Sequence, residues 1–113
     1  MGISKSQIHS IDTNEVAAVA KILSHPARIA ILKLIVKNKK YSCSDLVNSI
    51  SLSQPTISQH LEVIKKSGLL RKSLKNKTVR YSINKQKCSE FKLILEIFFK
   101  NLNAGFNISN DNR

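Results

Sequence analysis

Residues 53–83 read SQPTISQHLEVIKKSGLLRKSLKNKTVRYSI, and this run restricts the fold more than any other stretch of the chain. Ser53 is suited to cap a helix, with Pro55 inside its first turn, where no N–H donor is needed. Ile57, Leu61 and Ile64 then recur at i, i+4 and i+7, the stripe of a helix with one buried side. Gly68 suits the end of that helix, because glycine takes positive φ without strain. Leu69-Leu70-Arg71-Lys72 and Thr78-Val79-Arg80-Tyr81-Ser82-Ile83 read as short strands joined by a turn at Lys75, Asn76 and Lys77. In the second strand Val79, Tyr81 and Ile83 share one face and Arg80 and Ser82 the other. From Val63 to Ser89 there are nine Lys or Arg and no acidic residue. A polar-faced helix followed by a basic hairpin is a shape that fits a DNA groove and the phosphates beside it.

The rest of the chain supplies helices around this unit. Asp12 with Glu15 three residues on is a capping-box-like start, followed by Val16, Val19, Ala20 and Leu23 at helical spacing. Ser24-His25-Pro26 breaks that helix and Pro26 opens the next. Ile29, Ile31, Leu32, Leu34, Ile35 and Val36 are apolar on more than one face, which places the second helix centrally. Asn38, Lys39 and Lys40 connect to a short helix capped by Ser42 and Asp45, with Leu46, Val47 and Ile50 on its buried side. A last helix is expected from about Lys87 to Leu102. Residues 1–11 and 105–113 read as polar, mobile tails of a single domain spanning 1–113. The expected order is α-α-α-α-β-β-α. That is a mainly α fold with a small β-hairpin wing, an α+β winged helix-turn-helix.

Composition agrees with a nucleic-acid partner. A chain of 113 residues with 42 % hydrophobic residues can form one packed core. Its 19 basic and 7 acidic residues leave a net charge of +12, which attracts polyanions and makes binding salt-dependent. No apolar stretch approaches a membrane span, and the N-terminus lacks the apolar core of a signal peptide. The two cysteines do not make a disulfide framework. These readings together favour a cytoplasmic protein. The chain has three glycines, too scattered for a phosphate-binding loop, and no recognisable nucleophile–base arrangement. An enzyme is therefore not expected, and no cofactor is implied.

Three collinear segments carry a family resemblance. LSHPARIAILKLI resembles the second-helix signature of the ArsR/SmtB family of small winged-helix repressors, SQPTISQHLEVIKKSGLL its recognition helix, and TVRYSI its wing. The resemblance implies a prokaryotic homodimer that binds double-stranded operator DNA and regulates transcription. Many such regulators release DNA when a metal ion or another inducer binds.

With Ile57, Leu61 and Ile64 toward the core, Pro55, Thr56, Gln59, Glu62, Val63 and Lys66 turn outward and His60 lies at the margin. A recognition helix reads bases with its N-terminal part, which selects Gln54, Thr56, Gln59 and His60. Ser53 and the backbone N–H groups behind it are suited to a phosphate. A polar helix face is ordinarily only solvated. The adjacent basic hairpin and the resemblance turn the reading toward DNA. Arg71, Lys72, Lys75, Lys77 and Arg80 are the phosphate candidates. The rival reading is a winged helix used for protein–protein contact or for nonspecific nucleic-acid binding.

In the last helix Phe91, Ile94, Leu95, Phe98 and Leu102 form one apolar face, while Leu93, Ile97 and Phe99 lie elsewhere on the wheel. This surplus of apolar residues is best explained by a second copy of the chain. Lys92, Glu96 and Lys100 form a narrow mixed-charge strip, unlike the basic face of a membrane-surface helix. The resemblance implies a dimer interface from the first and last helices, here Val16, Val19, Leu93, Ile97, Phe98 and Phe99. It also implies what is missing. The family's metal-sensing pattern on the third helix is E-L-C-x-C-D-L, whereas this chain reads Lys40-Tyr41-Ser42-Cys43-Ser44-Asp45-Leu46. Serines replace both ligand cysteines, and the last helix carries no histidine, so no metal site of either known type is expected. Some family members sense oxidants or persulfides through a cysteine near the start of the third helix and another in the last. Cys43 and Cys88 hold those places here, and the plainer reading of them is two inert, partly buried thiols. The inducer is not legible in the sequence.

Overall fold

A computed structural model describes the backbone of residues 11–38 and 41–111 and the side chains of 13–37 and 41–105. The elements run α1 (Ile11–Ile22), α2 (Pro26–Asn38), β1 (Tyr41–Ser42), α3 (Cys43–Ser49), α4 (Gln54–Lys66), β2 (Leu70–Lys75), β3 (Thr78–Ile83) and α5 (Lys85–Asp111). Among the described residues, five helices and a wing hairpin appear in the expected order, with one short strand added. The first ten residues, the Lys39-Lys40 connection and the last two residues lie outside the described residues.

The local signals for α3 and α4 act as expected. At α3, Ser42 Oγ accepts from Asp45 N (3.1 Å) and Asp45 Oδ2 accepts from Ser42 N (3.1 Å), a complete capping box. At α4, Ser53 caps with Pro55 in the first turn, and Gly68 follows the helix at φ +90°. Asp12 differs from expectation: it lies within the helical residues of α1 and not at a cap. The last helix also exceeds its expected limits. It begins at Lys85 because Asn84 caps it, with Asn84 Oδ1 accepting from Lys87 N at 3.1 Å. It continues through Gly105 to Asp111, so residues 105–111 are helical backbone rather than an irregular tail. One glycine costs a helix interior only about 1 kcal/mol, which does not force an end.

β1 pairs antiparallel with β3, and β3 with β2, giving the order β1-β3-β2. The wing turn has two residues, not three. Lys75 pairs with Thr78, and Asn76 and Lys77 alone make the turn at φ 52° and 65°. Two successive left-handed residues match the twist of a tight hairpin.

The core forms where α2 crosses under α4 and the sheet. Ile31, Ile35, Leu46, Ile57, Leu61 and Ile64 are each at most 1 % exposed, joined by Leu70 and Tyr81 from the sheet. The central position expected for α2 holds, with Leu32 and Leu34 packed at the margin and Val36 facing out. Val63, expected to face outward, packs partly against this cluster. A buried helix stripe is wider than the single row of residues used to orient the wheel.

Candidate nucleic-acid interface

The core holds α4 by Ile57, Leu61 and Ile64, and the helix carries its remaining faces into the open. Ser53, Gln54 and Gln59 are exposed, and Thr56 and His60 are half-exposed. The five residues selected from the sequence therefore lie along the N-terminal two turns. They are not equally available. Ser53 Oγ is 2.9 Å from Thr56 Oγ1 and also accepts from Thr56 N (3.4 Å), so both hydroxyls serve the helix cap. Gln54 and Gln59 are exposed and belong to no part of the buried core.

His60 is held from behind. Arg28, in the first turn of α2, is 7 % exposed, and its Nε donates to His60 Nδ1 at 3.2 Å. Arg28 Nη1 also donates to the Lys21 carbonyl at the end of α1 (2.9 Å). The His25 ring lies 5.5 Å from that of His60, tilted by 50°. Burial pushes the His60 pKa down, and the charges of Arg28 and His25 add to this. Sequence reasoning missed Arg28 altogether. Its only sequence trace was a place in the run His25-Pro26-Ala27-Arg28, since an arginine is normally exposed.

The hairpin register sorts the basic residues. Arg71, Ser73 and Lys75 lie on one face, across from Ser82, Arg80 and Thr78. Lys72 lies on the other, with Leu70 and Leu74, across from Tyr81. Arg71, Lys72, Lys75 and Lys77 are exposed, while Arg80 is half-buried. Arg80 pairs with Ser42 across β1–β3, which brings it near the α3 cap. There the Asp45 carboxyl is held below its ordinary range, first by the Ser42 backbone N–H, then by the Ser42 hydroxyl, and less by the Arg80 charge. Arg71, Lys75 and Lys77 thus form the open basic surface, with Arg80 at its inner edge. A polar recess lined by Lys75, Asn76, Thr78 and Arg80 lies at the tip.

The other candidate residues fall on the α1–α5 side. Leu93 (55 % exposed), Ile97 (50 %) and Phe99 (57 %) stand open on α5, and Phe98 is partly covered. Val16 is half-exposed and borders a cavity of about 570 Å³ with Ala17, Leu93, Ile94, Ile97 and Phe98. Val19 is 1 % exposed, so it packs inside the chain and has no surface to offer a second copy. Cys43 is half-buried against the core, and Cys88 is exposed in the first turn of α5; both are free thiols. Among the described residues no group of three or more His, Cys, Asp or Glu could hold a metal ion, and no helix is long and apolar enough to cross a membrane.

Residues 25–72, from the α1–α2 turn through α4 into the wing, match the sequence model described as bacterial regulatory protein, arsR family. The biofilm growth-associated repressor of Xylella fastidiosa is 34 % identical over 77 residues, covering 68 % of this chain and 67 % of that protein. This chain belongs to the ArsR family. The crystal structure of the transcriptional repressor BigR from Xylella fastidiosa is similar, with a TM-score of 0.60 at 28 % identity over 84 % of this chain and 96 % of that one. An ArsR-like transcriptional regulator from Rhodococcus sp. RHA1 shares the fold, with a TM-score of 0.73 at 21 % identity over 87 % of this chain and 92 % of that one. This ArsR-family chain is a DNA-binding transcriptional regulator, not an enzyme. Its winged helix is the one the sequence implied.

Proposed function

We propose that this ArsR-family protein is a repressor that binds a palindromic operator as a homodimer, with α4 in the major groove and the wing on the flanking phosphates. The observation that carries the reading is the coexistence of two unlike open surfaces on one small fold. One is polar and basic, formed by α4 and the hairpin. The other is apolar, formed by α5 with Val16 of α1. A two-fold pairing through the apolar surface repeats the basic one, and a palindrome repeats its half-site to match. Half-sites about one helical turn apart, roughly 34 Å, are expected.

Within the site, Gln54 and Gln59 are the principal base readers. A glutamine amide donates and accepts together, which suits the adenine edge. Thr56 offers its methyl and a hydroxyl already engaged by Ser53. Arg71, Lys75 and Lys77 hold phosphates, with Arg80 assisting from the inner edge and Lys72 from the far face of the wing. The test is binding of duplexes recovered from a randomised pool by the wild-type protein, compared with random duplex. Gln59→Ala is expected to change which sequences are preferred, by about 1–3 kcal/mol at one base pair. Lys75→Ala is expected to weaken all duplexes alike and to reduce the salt slope by about 1. Equal losses for Gln59→Ala on recovered and random DNA would remove its base-reading role. A wild-type protein that prefers no duplex would favour nonspecific binding instead.

A further inference from the structure

The buried guanidinium behind the recognition helix has a chemical consequence for His60. Arg28 stays protonated at any working pH and has donors but no acceptor. When its Nε donates to His60 Nδ1 at 3.2 Å, that nitrogen must be bare. The neutral ring then carries its proton on Nε2, which the geometry of an imidazole directs away from the guanidinium. Arg28 cannot easily turn elsewhere, because it is 7 % exposed and its Nη1 is also bonded to the Lys21 carbonyl. His25 supports the ring from one side. His60 follows the exposed Gln59 on α4 and is itself half-exposed, so part of the residue is open beside Gln59.

We propose that Arg28 is a positioning residue for DNA recognition, fixing His60 as the neutral Nε2–H tautomer so that it presents a hydrogen-bond donor to an acceptor atom on DNA. This rests on α4 as the reading helix. The acceptor is either a base-edge atom such as guanine N7 or O6, or a phosphate oxygen. Protonating His60 places a hydrogen on Nδ1, removes the acceptor that Arg28 uses, and sets two cations against each other. The charged and titratable groups acting on the ring are Arg28 from α2 and His25 from the turn before it.

The first measurement is made on the free wild-type protein by long-range nitrogen–proton NMR of its imidazoles at about pH 7.5, above the ordinary histidine range. His60 is expected as the Nε2–H tautomer, and an Nδ1–H ring would overturn the inference. Arg28→Gln is expected to abolish this single-tautomer preference. Because Arg28 is buried, His60→Asn provides a second variant. Its Oδ1 can replace Nδ1 as the acceptor for Arg28, but its amide nitrogen then stands near the ring-carbon position and falls short of where the Nε2–H donor stood. His60→Asn should melt close to wild type and bind the pool-recovered duplex roughly tenfold more weakly. Loss on the recovered duplex alone places the acceptor on a base, and equal loss on random duplex places it on a phosphate. Unchanged affinity for both overturns the proposal. If wild-type protein prefers no duplex, the base-reading function fails, while the tautomer of His60 still decides whether Arg28 controls the ring.

Discussion

Gly68 ends the recognition helix at φ +90°, and a Cβ built there would come within 3.0 Å of Lys87 Cε. The lysine tail can give way, but the backbone angle cannot be relieved. Gly68→Ala is therefore expected to lower stability by about 1 kcal/mol or more, read from denaturant unfolding. No loss would mean that the α4–β2 corner relaxes freely. His60 gives a prediction of pH dependence. Its pKa is below the ordinary 6.5 in the folded chain, through burial first and then the charges of Arg28 and His25. The unfolded chain then takes up this proton at a higher pH than the folded one. The contribution to stability is fully present above 6.5 and is lost as pH falls through the folded value. Wild-type protein should lose more thermal stability than His60→Asn on acidification from about pH 7 to about pH 5. Parallel losses in both would acquit His60.

The wing sets local geometry against function at the level of the element. Its two-residue turn holds Lys77 at φ 65°, a conformation a lysine adopts at a cost of about 1–2 kcal/mol. Asn76 beside it tolerates the same region better. Lys77→Gly should stabilise the free protein by up to about 1 kcal/mol, less than the strain because glycine also loses more chain entropy on folding. The same change should weaken binding to any duplex and lower the salt slope by about 1. A variant that gained stability and kept full DNA affinity would show that Lys77 shapes nothing but a strained turn. The helices repeat the contrast more mildly. Ser53 and Thr56 use their hydroxyls on one another to start α4, while Gln54 and Gln59 stay exposed.

Across the whole molecule, α5 exposes the large apolar side chains Leu93 and Ile97 on one face and Phe99 on another. A second copy seated there, as proposed, would cover those side chains and set the spacing of two α4 helices. Ile97→Glu combined with Phe99→Glu should give a folded monomer by light scattering. It should bind operator at least tenfold more weakly, because each subunit then engages one half-site alone. A dimeric double variant would move the interface elsewhere. Arg28 spans the two halves of the molecule, bonding the end of α1 and the recognition helix at once.

The sequence by itself determined most of the elements. Ser42 with Asp45, Ser53 with Pro55, Gly68, and the Ile57–Leu61–Ile64 stripe act within a few residues of one another, so local chemistry announces them. The basic run from Lys65 to Lys87 is a property of composition, and the collinear motifs located the family. Tertiary structure decided the rest. β1 is two residues long and exists because β3 has a free edge for Tyr41 and Ser42. The hairpin register, not the charge, placed Lys72 on the opposite face from Arg71 and Lys75. Val16 and Val19 share a helix and a residue type, yet only the first keeps any surface once α1 meets α5. Arg28 and His60 are 32 residues apart, and nothing short of the packed fold could pair a guanidinium with that ring. Local signals fix a residue's own conformation. Which partner its side chain meets depends on chain segments that only folding brings together.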